Sequence, residues 1–212
     1  GVLMALASGP ASPPEIGRRS GVAERHLYYY LQSLIDLGYV SRRQPLAPQH
    51  RSRQVRFAID DPLLRFWFRF IYPNSGIIAQ TGAERTFHTI IRPALDAYYG
   101  SCFERLCREA LPTLYQREGV TCRFNVGEYW DKQSQIDVVG VRDDNRIDLG
   151  ECKWGRVRSP GALEEELARK VKVYPNPGNA TIQGRLFTRH PLHRTERDST
   201  GRLHSLEDLF AT

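Results

Sequence analysis

The sequence lacks the hydrophobic runs that membrane insertion requires. No stretch reaches the roughly eighteen apolar residues of a transmembrane helix. The opening stretch, GVLMALASGP, lacks the basic flank and the long apolar core of a signal peptide. The chain also begins with Gly rather than Met, so we expect it to be a fragment of a longer protein. These absences favour a cytoplasmic protein without a membrane partner.

Paired cysteines are also lacking. The chain has four cysteines, at Cys102, Cys107, Cys122 and Cys152, and none forms a C-x-x-C pair. No histidine cluster accompanies them at zinc-ligand spacing, which argues against a structural zinc site. We interpret them as buried free thiols in a reducing compartment.

Lysine is scarce, although the chain is basic. Only four of the 30 basic residues are lysines, and the other 26 are arginines. The net charge of +6 favours an anionic partner, with nucleic acid as the first candidate. Because lysine is so rare, the lysine in the segment GECKWG is less readily explained as a solvent-exposed charge without a specific role.

The first sixty residues have the pattern of a winged helix-turn-helix. Ser12 and the prolines after it predict the start of a helix that ends at Ser20-Gly21. Apolar residues at helical spacing predict a second helix over about 23–37. Two short strands follow around an arginine-rich loop. This order predicts a DNA-binding domain over residues 1–60, in which the second helix enters the major groove.

Arginines of this domain are the candidate phosphate contacts. They lie on the second helix and on the hairpin, at Arg25, Arg42, Arg43, Arg51, Arg53 and Arg56. Such contacts position a domain on the duplex without reading its sequence. A second interpretation stays open: the domain could be a protein-interaction module with a solvated loop, because the exposed face of the second helix is not especially basic.

Residues 61–92 form a predicted helical connector. The segment DDPLLRFWFRFIYPN carries many aromatic residues, and we expect its helix to end at Pro73-Asn74. Base stacking by these aromatic side chains is one interpretation, but core packing against a neighbouring domain is the favoured one.

From residue 120 onward, strand patterns replace helical ones. The segment 92–115 begins a long predicted helix. Predicted strands follow at about 121–130, 135–142 and 146–154. A helix from Pro160 to Pro175 and a strand at 181–188 complete the order αβββαβ. On that helix, Glu165–Arg169 and Glu166–Lys170 are pairs at i,i+4 spacing, each worth only about 0.2–0.5 kcal/mol.

Two neighbouring predicted strands carry charged residues among their apolar ones. Asp137 lies inside the apolar strand QIDVVGV, and Glu151 and Lys153 lie at the end of the next strand. Alternation along a strand places Glu151 and Lys153 on one face. They are either an exposed ion pair, worth at most about 1 kcal/mol, or two members of a catalytic site.

These residues resemble the signature of the PD-(D/E)XK nuclease superfamily. Glu104, in SCFERLCREA, matches the further acid that many members carry on the preceding helix. The whole chain also resembles the C-terminal region of archaeal and bacterial ATPases with a DUF234 domain. The matching segments are LGYVSRRQPL, DDPLLRFWFRFIYPN, FERLCREAL, QIDVVGV and LGECKWG. One position departs from the superfamily pattern, since Ile136 rather than proline precedes Asp137.

The resemblance implies an α+β or α/β protein, with a winged helix-turn-helix followed by a restriction-endonuclease-like αβββαβ domain over 93–212 and a central mixed sheet. It implies a Mg²⁺- or Mn²⁺-dependent deoxyribonuclease acting on DNA. Asp137, Glu151 and the Cys152 carbonyl would hold the metal, with Glu104 reaching it directly or through water. Lys153 would orient or deprotonate the attacking water, or offset charge on the phosphorus.

The resemblance also implies a P-loop ATPase domain before this region. ATP would bind only there, because no G-x-x-x-x-G-K-[ST] motif occurs in this sequence. Two alternatives to a nuclease remain. The chain could be a non-catalytic module that binds nucleic acid or protein. It could also be an oligomerisation domain of the ATPase, forming a homo-oligomer through the aromatic helix 62–72.

Overall fold

The structure is a computed structural model, and it describes residues 1–48, 54–157, 159–192 and 201–210. The chain divides into two compact units. The first comprises Gly1–Gln44 and Ser52–Leu95, and the second comprises Pro45–Arg51 and Asp96–Thr212. In these described ranges, no helix is both long enough and apolar enough to cross a membrane.

The first unit begins with three helices and a hairpin. These elements are α1 (Val2–Leu6), α2 (Pro13–Ser20), α3 (Glu24–Asp36), β1 (Val40–Arg43) and β2 (Arg56–Ile59), and the two strands pair antiparallel. Helix α2 starts where the backbone N–H of Ser12 donates to Glu15 Oε2 at 2.8 Å, which satisfies an amide at the helix start. It ends at Gly21, whose φ of +69° suits glycine.

Helical turns fill the rest of the first unit. They are α4 (Pro62–Phe66), a π-helical turn (Trp67–Ile71), a 3₁₀ turn (Tyr72–Asn74), α5 (Ser75–Thr81), α6 (Ala83–Thr86), a second π-helical turn (Phe87–Ile91) and a second 3₁₀ turn (Arg92–Ala94). A proline follows each π-helical turn closely, at Pro73 and Pro93. Proline has no N–H to donate and its ring crowds the preceding turn, so the wider turn lets the helical path continue. The sequence had predicted a helix end at Pro73-Asn74 instead.

The aromatic stretch within these turns packs only in part. Phe70 is buried, whereas Trp67 is 50% exposed and Tyr72 is 52% exposed. The predicted core packing therefore holds for Phe70 but not for Trp67 or Tyr72.

The second unit is built on a mixed five-stranded sheet. Its strands are β3 (Phe124–Trp130), β4 (Gln135–Arg142), β5 (Arg146–Lys153), β6 (Thr181–Thr188) and β7 (Gly201–Ser205), in that spatial order. Strands β3, β4 and β5 pair antiparallel, and β6 and β7 are added in parallel. The predicted central mixed sheet is confirmed. Its fifth strand, β7, was not predicted.

Helices cover the two faces of this sheet. They are α7 (Leu95–Arg117), α8 (Pro160–Val173) and α9 (Leu206–Phe210). One buried cluster joins α7 and α9 to residues such as Val138 and Phe187. The other joins α8 to Ile147, Leu149 and Leu186. Because Ile147, Leu149 and Glu151 are two residues apart along β5, the end of that strand presents Glu151 on the α8 side.

A buried charged network joins Tyr115 and Glu118 to strands β5 and β6, away from the end of β5 that carries Glu151. The side chain of Arg185 on β6 is fully buried, and its Nε donates to Asp148 Oδ1 at 2.6 Å. Its two terminal nitrogens donate to the Glu118 carboxylate at 2.7 and 2.8 Å. The Tyr115 hydroxyl donates to the other Asp148 oxygen at 2.6 Å. Each buried charge of this network is therefore paired and hydrogen-bonded.

Candidate functional site

Strand register brings two acidic side chains together at one edge of the second unit. Val138 of β4 pairs with Gly150 of β5, and Asp137 and Glu151 are the adjacent residues, where the pairing of the two strands ends. Asp137 is 7% exposed and Glu151 is 2% exposed. The backbone N–H of Cys152 donates to Asp137 Oδ2 at 3.0 Å. This hydrogen bond fixes the Asp137 carboxylate against the end of β5.

Two lysines and a second glutamate complete the charges around Glu151. The Lys153 ammonium lies 3.1 Å from Glu151 Oε1 and 3.4 Å from Glu166 Oε2. The Lys170 ammonium pairs with Glu151 Oε2 and lies 3.7 Å from Glu166 Oε1. Glu151 and Lys153 therefore share a face, as strand alternation predicted. Glu166 and Lys170 come from α8, and the sequence had predicted only an i,i+4 pair between them.

Two further acids extend the cluster. Glu104 lies on α7, and the buried Glu128 lies on β3. Arg108 of α7 donates to the backbone carbonyl of Asp137 at 2.7 Å, and its guanidinium lies 3.8 Å from Glu128 Oε2. Glu104 was predicted for this site and Glu128 was not. An acid among buried aromatic residues at the end of β3 is the signal that could have identified it.

Burial raises the pKa of three acids of this cluster, Glu104, Asp137 and Glu151. Burial, followed by the negative charge of Asp137, raises the pKa of Glu104 to about 7, and Arg108 opposes the rise. Burial also raises the pKa of Asp137 against the Cys152 hydrogen bond and Lys170. Burial and the Asp137 charge raise the pKa of Glu151. Crowded buried carboxylates with raised pKa values are typical of functional sites, and a nearby cation would relieve their repulsion.

Lys153 carries a positive charge in this environment. Burial lowers its pKa, but the hydrogen bond that Lys153 donates to Glu151 and the charges of Glu151 and Glu166 outweigh burial, so its pKa is raised overall. The ammonium form is thus favoured at neutral pH. Of the roles predicted for Lys153, offsetting negative charge suits this form better than accepting a proton from water.

The thiol of Cys152 is separate from this chemistry. Its side chain belongs to the buried cluster on the α7 face, together with Cys107. Burial and the Cys107 contact raise the pKa of the Cys152 thiol well above its usual value, so it stays protonated. Its predicted role as a metal ligand concerned the backbone carbonyl, which lies between Glu151 and Lys153 on the strand.

The donor set suits a hard divalent cation held by few protein ligands. Across the residues that the structure describes, no three His, Cys, Asp or Glu side chains are arranged to hold a metal ion together. Mg²⁺ commonly binds through one or two carboxylates and keeps several waters. Asp137 and Glu151, with the Cys152 carbonyl, supply oxygen donors of that kind. The residues fit Mg²⁺ or Mn²⁺ on this basis.

The ionisation of Glu104 makes the free energy of unfolding depend on pH. Because its pKa is raised from 4.5 to about 7 in the folded protein, the folded state holds a proton that the unfolded chain releases at lower pH. In chelator, the free energy of unfolding should therefore fall as the pH rises through this interval. Denaturant unfolding at about pH 5 and about pH 8 should show Glu104→Gln gaining stability relative to wild type at the higher pH. If the difference in free energy of unfolding between Glu104→Gln and wild type is the same at both pH values, this assignment is contradicted. Glu109→Gln, on the exposed side of the same helix, is the control.

Four of the six predicted phosphate-contacting arginines lie in the described part of the first unit. Arg25 is exposed on α3, and Arg42 is exposed on β1. Arg43 is half-buried and pairs with Asp60 at 2.8 Å, while Arg56 lies on β2. The other two candidates, Arg51 and Arg53, lie outside the described residues. The exposed face of α3 also carries Tyr28, Tyr29 and Tyr30, with Tyr29 73% exposed.

Residues 67–171 match the sequence model of the DUF234 family, described as archaeal and bacterial proteins of unknown function. An uncharacterised protein of Methanocaldococcus jannaschii is 28% identical over 178 residues, which cover 81% of this chain and 39% of the relative. The chain thus spans well under half the length of that relative. Among solved structures, the SdaI restriction endonuclease aligns with a TM-score of 0.30 and 12% identity, over 89% of this chain and 77% of its own.

Proposed function

We propose that this chain is a DNA-binding, metal-dependent nuclease-like module of a longer ATPase, and that it hydrolyses phosphodiester bonds. One observation carries the proposal. Two buried carboxylates, Asp137 and Glu151, lie where the pairing of β4 with β5 ends, and the Lys153 ammonium is 3.1 Å from Glu151. Two acids that can hold a divalent cation and a lysine that can offset charge on a phosphate suit metal-assisted phosphodiester hydrolysis.

Each residue of the cluster would have a distinct task. Asp137 and Glu151 would bind Mg²⁺ or Mn²⁺, with the Cys152 carbonyl as a further oxygen donor. When bound, the cation supplies Lewis-acid stabilisation and lowers the pKa of a bound water. The Lys153 ammonium, 39% exposed, can reach a phosphate and offset the negative charge that develops on its oxygens. Glu104 adds negative charge that attracts the cation.

The first unit would supply DNA binding. Its order of helices α2 and α3 followed by a two-stranded hairpin is that of a winged helix-turn-helix, in which α3 would enter the major groove. Exposed Arg25 and Arg42 would contact phosphates. Arg43 would do so only if it exchanged its partner Asp60 for the phosphate. Mutating Arg42 should weaken binding similarly on all sequences and reduce its salt dependence.

The longer ATPase belongs to the same proposal. The sequence segments LGYVSRRQPL and LGECKWG resemble those of ATPases with a DUF234 domain, and the matched relative is more than twice as long as its aligned part. A P-loop domain elsewhere in the full protein would bind ATP.

A cleavage assay tests the proposal. Plasmid, linear duplex and single-stranded DNA are incubated with the protein in Mg²⁺, in Mn²⁺ and in EDTA. We expect cleavage only with the metals. In Lys153→Ala the rate should fall roughly 10²-fold, because the positive charge facing the phosphate is lost. Lys132→Ala, in the turn between β3 and β4, should cleave like wild type. Cleavage that persists in EDTA, or that survives Lys153→Ala unchanged, would place the chemistry elsewhere.

One observation favours a second candidate, a non-catalytic binding module. Glu151 already has two ammonium partners, Lys153 and Lys170, so these charges could serve stability alone. Such a module would bind DNA in EDTA with a steep salt dependence and would not cleave it. Binding assays in EDTA beside the cleavage assay distinguish the two. Concentration-dependent mass without DNA binding would instead indicate an oligomerisation domain.

A further inference from the structure

Lys170 occupies an unusual place for a lysine on a helix. Its side chain is only 21% exposed, and its ammonium pairs with the buried Glu151 on the side opposite Lys153. The second acid, Glu166, lies one helical turn earlier on α8 and is within 4 Å of both ammonium groups. The four groups form a closed ring of alternating charge, in which Lys170 has two possible carboxylate partners.

The choice of lysine at this position is informative in an arginine-rich chain. Two of the four lysines meet at the single carboxylate of Glu151, although arginines outnumber lysines 26 to 4. Arginine forms planar, bidentate pairs with carboxylates, whereas lysine is a compact charge on a flexible stem. A flexible stem suits a cation that changes partner better than one that holds a fixed pair.

The charge around Glu151 is only partly balanced by these lysines. Glu104, Asp137 and Glu151 are mutually repulsive, and no lysine is bonded to the Asp137 carboxylate in the described residues. A divalent cation placed between Asp137 and Glu151 would interact with both carboxylates more strongly than a single ammonium does with one. It would also repel the Lys170 ammonium. Glu166, with a side chain 36% exposed, is the acid to which Lys170 can then turn.

We propose that Lys170 is the counter-ion of Glu151 in the metal-free protein, and that it moves to Glu166 when a divalent cation binds. Lys170 is thus a positioning residue that sets the affinity of the site for the metal. The inference rests on the proposed function, because it requires that Asp137 and Glu151 bind the cation. Lys153 stays at Glu151 and Glu166 and keeps the position from which it reaches a phosphate.

The scarcity of lysine makes the exchange directly observable. Protein labelled with ¹³C-lysine gives signals from only four side chains, Lys132, Lys153, Lys170 and Lys172. On titration with Mg²⁺, the Lys170 ε-methylene signal should shift with the metal occupancy of the site, whereas those of Lys132 and Lys172 should stay in place. A Lys170 signal that does not move while the metal binds would overturn the inference.

Metal affinity gives the second test. Lys170→Met keeps the length of the stem and removes the charge, and Lys172→Met is the matched control on the exposed side of the same helix. By calorimetry with Mn²⁺, Lys170→Met should bind about tenfold more tightly than wild type, because the Lys170 ammonium no longer competes for Glu151. Lys172→Met should match wild type.

The outcomes separate this inference from the proposed function. Equal or weaker Mn²⁺ affinity in Lys170→Met, with wild-type binding intact, overturns the role of Lys170 and leaves the metal site standing. Absence of Mn²⁺ binding in both proteins overturns the role and the metal-dependent function together. Binding by Lys170→Met alone supports the role in its strongest form, since the ammonium would then exclude the metal. If Lys170→Met fails to fold, the labelled wild-type titration decides.

Discussion

Asp148→Ala is expected to lower the free energy of unfolding by about 3–5 kcal/mol. Asp148 is 1% exposed, and it accepts hydrogen bonds from Arg185 and from the Tyr115 hydroxyl. Without it, the fully buried Arg185 keeps only Glu118 as a carboxylate partner among the described residues, and the Tyr115 hydroxyl loses its acceptor. A buried charge that loses a partner costs far more than a surface ion pair.

Chemical denaturation of three variants measures this effect. Asp148→Ala is compared with Asp144→Ala, whose pair with Arg142 lies nearer the surface and should be worth less than about 1 kcal/mol. The double variant Asp148→Ala/Arg185→Met should recover part of the loss, because it removes the stranded charge. A loss in Asp148→Ala no larger than that in Asp144→Ala would show that the network does not stabilise the second unit.

Asp137→Asn is expected to reduce metal-dependent cleavage roughly 10³-fold while the protein stays folded. Asparagine keeps the shape of the side chain and can still accept from the Cys152 N–H, but it removes a negative charge from the metal site. Because burial raises the pKa of Asp137, its ionised form destabilises the folded protein. In chelator at about pH 8, Asp137→Asn should therefore be at least as stable as wild type.

The combination of these two results is diagnostic. Mg²⁺ should raise the melting temperature of wild type and leave that of Asp137→Asn unchanged, since a ligand stabilises only the protein that binds it. Asp96→Asn, an exposed change on α7, should behave like wild type in both assays. Wild-type cleavage rates in Asp137→Asn would exclude Asp137 from the chemistry. A large loss of stability in chelator would instead indicate a structural role for the charge.

The part of the site that lies on adjacent strands could be predicted from the sequence. Asp137 lies within an apolar strand. Glu151 and Lys153 are two residues apart on the next strand, so their side chains point to the same face. Period-two alternation and a tight antiparallel turn bring such residues together by local rules alone. The resemblance to a nuclease signature then selected these residues from the other charged ones.

The part of the site that comes from helices and from β3 could not be predicted from the sequence. Glu166 and Lys170 at i,i+4 spacing look like an ordinary solvated pair, and only the packing of α8 on the sheet turns Lys170 toward Glu151. Glu128 reaches the cluster through strand pairing of β3 with β4. Contacts of this kind depend on tertiary packing, for which a single sequence has no local signal.

Backbone features were missed for related reasons. The segment Gly201–Ser205 is short and mostly polar, so it does not read as a strand, yet it pairs parallel to β6 as the fifth strand. Proline at Pro73 is ordinarily a helix terminator, and the sequence gives no cue that a π-helical turn accommodates it here.

The central claim is that Asp137 and Glu151 hold a divalent cation at the ends of β4 and β5. A crystal structure of the protein grown in Mn²⁺, with anomalous diffraction data, tests it most directly. We expect an anomalous peak within ligating distance of both carboxylates, with the Lys170 ammonium turned to Glu166. Well-ordered Asp137 and Glu151 side chains without such a peak, and with Lys170 still paired to Glu151, would contradict it.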